Sequence, residues 1–318
     1  MFDHVLVPLD GSPLAECVLP HTVAVAQAFG AQVTLLRVLE RTHVAGRPGP
    51  VDPLDWHISK AEAGAYLDGV TARLRKAGLQ AENTLLEGQA SERIIEFARG
   101  HDVNLIILSS HGRSGLSGWN VSSVVQKVVL RAYTPTMIVR AYQPVTHDVT
   151  GLRYRRLLVP LDCSQRAECI LPLATTLARF HESQLVVVCV VRRPEMPCRT
   201  SRTQEDIELA NQITERNRLE GARYLEQLRS RLSVDIQPRL LVSDDVTATL
   251  HELVEQENID LVMLSAHGYS GKTRWPYGSV AISFIAYGTT PLLIMQDLSP
   301  EEVEPTQTEV AARERQGH

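Results

Sequence analysis

The sequence has few cysteines, few aromatic residues and no long apolar segment, and these absences exclude several classes of protein. Its longest apolar run, residues 185–191, has seven residues, whereas a transmembrane helix needs roughly 20. Five cysteines without a CxxC pair fit neither a disulfide framework nor a structural zinc site. The first residues also lack the basic and then apolar layout of a secretory signal. We therefore expect a cytoplasmic protein that does not enter a membrane.

An excess of positive charge is also missing. The chain has 32 Lys and Arg against 37 Asp and Glu, a formal net charge of −5. A mildly acidic protein has no electrostatic reason to bind nucleic acid or anionic lipid nonspecifically. The sequence shows no Ser-His-Asp spacing, no pair of histidines at metal-ligand spacing and no GxxxxGK[ST] loop. We therefore predict no catalytic residues, no metal ligands and no nucleic-acid partner.

The most informative feature that is present is an internal duplication. Residues 5–20, VLVPLDGSPLAECVLP, match residues 157–172, LLVPLDCSQRAECILP, at eleven of sixteen positions. Further along, 105–115 and 261–271 match as LIILSSHGRSG and LVMLSAHGYSG. Since one domain takes about 150 residues, the 318 residues predict two domains in tandem.

We place domain 1 at 1–142 and domain 2 at 153–297, with the boundary in the polar stretch 143–151. Residues 298–318 are rich in Glu and almost free of large apolar side chains. Such a segment cannot bury enough surface to offset the entropy of ordering it, so we predict a disordered acidic tail.

Each domain alternates short aliphatic runs with segments of helical periodicity. In domain 1 the predicted strands are 4–9, 32–38, 79–86 (the weakest), 104–109 and 136–140, and the predicted helices are 15–29, 61–76 and 92–99. Domain 2 repeats this order, with a long charged helix over 204–232. Five strands alternating with these helices, and with a fourth helix after the loop that follows the fourth strand, predict an α/β fold, a doubly wound five-stranded parallel sheet of Rossmann-like type in each domain. Such sheets bind ligands beyond the carboxyl ends of their strands, where the strand order reverses.

The loop after the fourth strand of domain 2 combines several features of an anion site. The strand is expected to end at Leu264, and a glycine-rich loop with Lys272 and Arg274 leads to a helix near Ser279. Glycine lets a backbone approach a ligand closely, and a helix start attracts anions. We expect Ser279 to be the N-cap and to offer its hydroxyl to a phosphate. A plain strand-to-helix connection is the alternative, and it explains the glycines only.

This loop resembles that of the universal stress protein family. Nucleotide-binding members of the family share Gly, two residues, Gly, nine residues, and then Gly followed by Ser or Thr. Domain 2 matches at Gly268, Gly278 and Ser279 and differs at Ser265. The family's first strand also runs into an Asp-Gly-Ser turn, here VPLDGS and VPLDCS, and a Thr-Pro pair precedes its last strand, here at 134–135 and 290–291.

Domain 1 carries the same loop in a more altered form. It matches at Gly112 and Ser123 and differs at the first and third positions, Ser109 and Ser122. If the Gly278 position needs a left-handed backbone, a serine there costs about 1–2 kcal/mol. Domain 1 also has no counterpart of Arg274. We therefore expect the stronger site in domain 2 and a weak or vacant one in domain 1.

The resemblance implies the HUP-type fold and an adenine nucleotide as ligand, with ATP as the first candidate and Mg²⁺ as its accompanying ion. It implies that Asp10 and Asp162 face the adenosine, that Val38 and Val190 line the adenine pocket, and that the loop wraps the ribose and phosphates. Leu264 and Val280, at the two ends of the loop of domain 2, complete the predicted site. The alternatives are helix N-capping for the two aspartates and core packing for the two valines.

Several other residues occur at matching places in both domains. For His111 and His267 we favour loop packing over ligand contact or pH sensing, and for the Trp119 and Trp275 pair we expect burial. Cys17 and Cys169 stand among apolar residues, which favours inert, buried thiols.

Taken together, the sequence predicts a nucleotide-binding regulatory stress-response protein that acts on an unidentified protein partner. The alternatives are a weak ATP hydrolase and an interaction module that binds no nucleotide. In related proteins the last strands pair between chains, so we expect the strands at 136–140 and 292–295 to pair within this chain and form an internal pseudo-dimer.

Overall fold

The computed structural model describes residues 2–40, 53–112, 121–141, 148–194, 203–269 and 276–297. The predicted acidic tail and most of the predicted linker lie outside these residues, so the domain limits remain predictions. The described residues form ten strands: β1 (His4–Pro8), β2 (Gln32–Leu39), β3 (Ala81–Glu87), β4 (Leu105–Ser109), β5 (Thr136–Val139), β6 (Arg156–Leu161), β7 (Gln184–Arg192), β8 (Ile236–Ser243), β9 (Leu261–Ser265) and β10 (Leu292–Met295).

The α-helices of the described residues lie between the strands, as the alternating pattern predicts. They are α1 (Val18–Phe29), α2 (Pro53–Lys76), α3 (Ala90–Gly100), α4 (Ser123–Ala132), α5 (Leu171–His181), α6 (Gln204–Arg231), α7 (Val246–Gln256) and α8 (Ser279–Tyr287). Helix α2 begins eight residues before the predicted start, because its first turns are exposed, as at Leu54 and Ile58, and carry no core-facing periodicity. A 3₁₀ turn, Ala15–Cys17, precedes α1. Within the described ranges, no helix has the length and apolar character needed to span a bilayer.

All ten strands join in a single sheet. Its order is β3-β2-β1-β4-β5-β10-β9-β6-β7-β8, so each domain contributes five parallel strands and the order reverses between β1 and β4 and between β6 and β9. This is the doubly wound arrangement that the sequence predicts. Strands β5 and β10 pair antiparallel, with Met137 opposite Leu293, which confirms the predicted pairing of the two domains within one chain.

A proline opens the sheet at each point where the strand order reverses. The amide of Leu9 donates to Leu36 on β2, and since successive residues of a strand point their N–H groups to opposite sides, the missing N–H of Pro8 is on the β4 side. The β1–β4 ladder accordingly contains only Val5 and Leu6 of β1. Pro160 has the matching position in β6, whose ladder with β9 is equally short. The strands diverge beyond these pairs and leave a crevice at their carboxyl ends.

The core lies on both faces of the sheet, which explains the nearly continuous apolar strands. One cluster packs under α1, α2, α5 and α6, and the other under α3, α4, α7 and α8. Both clusters contain residues of the two domains, so apolar packing continues across their junction.

Polar contacts also join the two domains. On one face the hydroxyl of Tyr154, a residue 1% exposed, lies 2.8 Å from Nδ1 of His21. On the other face the hydroxyl of Tyr277 donates to the carbonyl oxygen of Val129 at 3.0 Å. Because buried hydroxyls need partners, these pairs add directional contacts to the strand pairing and the apolar packing at the junction.

Candidate functional site

A cavity lies in the crevice between β6 and β9, where the strand order of domain 2 reverses. Its volume is about 720 Å³, including the mouth that opens to solvent. It is lined by eight of the nine residues predicted for the site of domain 2, namely Asp162, Val190, Leu264, Ser265, Gly268, Gly278, Ser279 and Val280. The ninth, Arg274, lies outside the described residues, as do Lys272, Trp119 and Trp275.

One wall of this cavity is apolar. Val188 and Val190 of β7 and Val246 and Leu250 of α7 line it. Val188 is fully buried, whereas Val190 is half-buried and also packs against the core. Val190 therefore packs against the core and also faces the cavity, so the two interpretations of this residue do not exclude each other. A flat apolar group of a ligand would fit against this wall.

The turn that begins at Asp162 also borders the cavity, and it contacts the glycine loop. The Asp162 carboxylate accepts hydrogen bonds from the amide of Ser164 at 3.1 Å, the hydroxyl of Ser164 at 2.6 Å and the amide of Tyr269. A methyl group on Gly268 would lie only 2.1 Å from Oδ2 of Asp162. Glycine is required here by the approach of a carboxylate rather than by a positive φ.

Asp162 does not cap a helix, which removes the simplest alternative for this residue. The hydroxyl of Ser164 instead accepts from the amide of Ala167, at 3.1 Å, where the 3₁₀ turn before α5 begins. Domain 1 repeats the arrangement. The amide of Ser12 donates to Asp10 at 2.8 Å, and a methyl group on Gly112 would lie 2.1 Å from the Asp10 carboxylate.

The start of α8 borders the cavity and corrects two expectations. The N-cap is Gly278 rather than Ser279, and its backbone is extended, with φ −75° and ψ 171°. The cost considered for Ser122, which was conditional on a left-handed backbone at this position, therefore does not apply. Ser122 of domain 1 has nearly the same dihedrals, φ −69° and ψ 161°, and its hydroxyl accepts from the amide of Val125. The serine adopts this backbone without strain. Its hydroxyl accepts a hydrogen bond from a helix amide, which a glycine N-cap has no side chain to do.

Serine also replaces the first glycine of the family motif in both domains. The hydroxyl of Ser265 donates to the carbonyl of His267 at 2.7 Å, and that of Ser109 donates to the carbonyl of His111 at 2.6 Å. These hydrogen bonds tie the end of the strand to the loop that follows. The hydroxyl groups therefore have a structural function in the loop.

The remaining predicted residues of domain 1 occupy the equivalent places. Val38 is half-buried on β2 and packs against the core, and Ser123 is the first residue of α4.

The two matching histidines are buried but have different partners. Nδ1 of His267 lies 2.8 Å from Oδ1 of Asp297, and both side chains are at most 4% exposed. The other oxygen of Asp297 is 2.9 Å from Nε of Arg166. His111 has the hydroxyl of Ser110 near its Nδ1, at 3.1 Å. Asp297 is not among the residues predicted from the sequence, although it is the second residue after β10 and so lies at the edge where ligands of such sheets bind.

The two matching cysteines are half-buried. Burial raises the pKa of the Cys17 thiol to about 11 and also raises that of Cys169. Both thiols are therefore protonated near neutral pH, in agreement with the inert role predicted for them. Among the residues that the structure describes, no group of three or more His, Cys, Asp or Glu is placed to hold a metal ion.

Comparisons with known proteins identify the family. The model of the universal stress protein family matches residues 1–140 and 153–296. The universal stress protein MJ0531 of Methanocaldococcus jannaschii is 26% identical over 141 residues, which cover 44% of this chain and 83% of that protein. YxiE of Bacillus subtilis is 29% identical over 148 residues, covering 44% of this chain and 100% of YxiE. Each of these relatives corresponds to a single domain of this chain.

Solved structures match the tandem arrangement as a whole. A universal stress protein from Archaeoglobus fulgidus superimposes with a TM-score of 0.65 at 17% identity and covers 94% of this chain and 100% of its own. A putative universal stress protein from Pseudomonas aeruginosa gives 0.65 at 13% identity, with 93% of each chain covered. The chain therefore belongs to the universal stress protein family and carries two of its domains in tandem.

Proposed function

We propose that this protein is a regulatory protein of its family in which the cavity of domain 2 binds an adenine nucleotide, with ATP as the first candidate. The observation that carries the proposal is the convergence in one cavity of an apolar wall, a carboxylate and a helix start. Each of these suits a different part of a nucleotide.

The proposed pose follows the chemistry of the walls. The adenine ring lies between Val190 and Leu250. The ribose hydroxyls donate to the carboxylate of Asp162, because an ionised carboxylate accepts hydrogen bonds and donates none. The phosphates lie at the start of α8, where the first N–H groups have no partner within the helix and the helix dipole favours an anion. Arg274 and Lys272 belong to the intervening loop and add positive charge in this proposal.

The difference between the two domains rests on their N-caps. The Ser122 hydroxyl accepts one of the helix amides in domain 1, whereas Gly278 has no side chain with which to do so. Domain 2 therefore offers one more donor to a phosphate, and a hydrogen bond to a charged group contributes about 1.5–3 kcal/mol. We propose domain 2 as the stronger site for this reason. Mg²⁺ would arrive with the phosphates, as this ion commonly does.

Isothermal titration calorimetry with ATP tests the proposal on a matched pair of variants, Val190→Phe and Val38→Phe. The two valines are half-buried at equivalent places of β7 and β2, so their effects on folding should be similar. We expect Val190→Phe to weaken binding at least tenfold, which corresponds to about 1.4 kcal/mol, and Val38→Phe to leave the strong site unchanged. Equal losses in the two variants would exclude the proposed difference between domains, and wild-type protein that binds no ATP, AMP or cyclic AMP would favour the interaction module.

Hydrolysis of bound ATP is a second candidate function, favoured by one observation. His267 lines the cavity and is held by the buried Asp297 carboxylate, an orientation that suits a general base. Phosphate release measured under single-turnover conditions separates the two functions. If the protein releases phosphate and His267→Asn lowers the rate of release at least tenfold while ATP still binds, the protein is an enzyme. If ATP binds and no phosphate is released, the protein is a sensor.

A further inference from the structure

Domain 2 contains a pair of cysteines that domain 1 lacks. Sγ of Cys163, in the turn after β6, lies 3.5 Å from Sγ of Cys189 on β7. The equivalent positions of domain 1 hold Gly11 and Arg37. Both members of the contact therefore differ between the domains, and the difference places two thiols side by side.

The backbone at Cys163 adds a second observation. Cys163 has φ +65°, in the left-handed region, where Gly11 has φ +81°. Residues with a side chain rarely adopt this conformation, and when they do it is often at a functional site. The cysteine therefore occupies a position that suits glycine better, and its side chain contacts the second thiol there.

The two thiols differ in exposure. Cys163 is exposed and Cys189 is 4% exposed. The hydrogen bond with Cys189 lowers the pKa of the Cys163 thiol, although partial burial and the nearby carboxylates of Asp162, Glu168 and Glu220 act in the opposite direction. An exposed thiol next to a second thiol is the arrangement of cysteines that are oxidised reversibly.

The pair is separate from the nucleotide cavity. Successive residues of a strand face opposite sides of the sheet, so Cys189 points away from the cavity that Val188 and Val190 line. On its own side Cys189 meets α6, since a methyl group on Gly221 would lie 3.6 Å from its Sγ. The chemistry of the thiols can therefore be tested without any assumption about nucleotide binding.

We propose that Cys163 and Cys189 form a reversible redox site that hydroperoxides convert into a disulfide. The Cys163 thiolate attacks the O–O bond of hydrogen peroxide, which yields a sulfenic acid on Cys163 and, after protonation, one water. Cys189 then attacks Sγ of Cys163, and the sulfenic hydroxyl leaves as a second water after it takes up the proton of the Cys189 thiol. The two thiols lose two electrons in total and the peroxide gains them.

The test treats reduced full-length protein with hydrogen peroxide, blocks the remaining thiols with iodoacetamide and maps the peptides by mass spectrometry. We expect a linked peptide that contains Cys163 and Cys189 and whose mass is about 2 Da below the summed masses of the two reduced peptides, because two hydrogens are lost. Dithiothreitol should break this link and restore the two thiols. In the reduced protein Cys163 should react with iodoacetamide at least tenfold faster than Cys169. Cys169→Ser, the matched control in the same domain, should keep the link.

Two further variants make the proposal falsifiable if one of them folds poorly. Cys189→Ser should stop the reaction at a sulfenic acid on Cys163 that dimedone traps, and Cys163→Ser should abolish the link. A link from Cys163 to Cys198 in place of Cys189 would overturn the proposal. Irreversible oxidation of Cys163 without a link, or an unchanged pair after treatment, would also overturn it.

Discussion

Replacing Gly268 by alanine tests the account of the glycine loop most directly. The added methyl group would lie 2.1 Å from Oδ2 of Asp162 and 3.0 Å from its Cγ, far inside van der Waals contact. The carboxylate must therefore move, and it loses the hydrogen bond from the Tyr269 amide. A hydrogen bond to a charged group contributes about 1.5–3 kcal/mol, and the lower end applies here because Asp162 and Tyr269 are exposed. We expect Gly268→Ala to lower the free energy of unfolding by about 1.5 kcal/mol.

A double-mutant cycle separates this clash from any general effect of the substitution. Asp162→Ala removes the carboxylate, so adding Gly268→Ala to it should cost less than about 0.5 kcal/mol, and the coupling between the two sites should be about 1 kcal/mol. The matched control is Gly278→Ser. A methyl group there meets the Ala266 carbonyl oxygen at 3.4 Å and the His267 Cα at 3.8 Å, both ordinary contacts, and Ser122 already occupies the equivalent position with nearly the same backbone.

Urea unfolding at pH 7, followed by circular dichroism, gives all four free energies of the cycle. An equal cost of Gly268→Ala with and without the Asp162 carboxylate would contradict the proposed clash. So would a Gly278→Ser variant that destabilises the protein as much as Gly268→Ala does. The same experiment on Gly112 and Asp10 should give the same pattern, since the distance there is also 2.1 Å.

Two further predictions concern the junction between the domains. Tyr277→Phe removes the hydroxyl that donates to Val129 and should destabilise the protein by about 1–2 kcal/mol in urea unfolding, because the carbonyl stays buried; an unchanged midpoint would show that this contact does not hold the domains. Burial lowers the pKa of His21 from 6.5 to about 4, so the folded state favours the neutral ring. The contribution of His21 to the stability of the fold is therefore complete above pH 6.5 and is lost as the pH falls toward 4. One pKa unit corresponds to about 1.4 kcal/mol, and the ring keeps part of its surface in solvent, which reduces the effect. Between pH 7.5 and 4.5 we therefore expect the free energy of unfolding of the wild-type protein to fall by about 2 kcal/mol more than that of His21→Asn. Parallel losses in the two proteins would contradict this assignment.

Local patterns were sufficient to predict the architecture. The repeated VPLD segments and the matching loops at 109 and 265 establish the duplication, because the same motifs recurring in the same order within one chain need no structural information. Alternating strand and helix periodicity then predicts the doubly wound sheets, since parallel strands covered on both faces read as apolar runs. The rule on carboxyl ends indicates where the site of domain 2 should lie, and the resemblance to the universal stress protein family implies its residues, of which eight of nine line one cavity.

Why each of these residues is needed at its position depends on contacts between parts of the chain that are far apart in sequence. Only the fold places Asp162 against Gly268, and that contact explains the glycine, whereas the extended backbone at Gly278 removes the explanation based on its dihedral angles. His267 meets Asp297 because β9 and β10 end at the same edge of the sheet, and Cys163 meets Cys189 because β6 and β7 are neighbours with a particular register. Sequence periodicity determines which residues face the same side, but the register and twist of the strands determine which of them come within a few ångströms of each other.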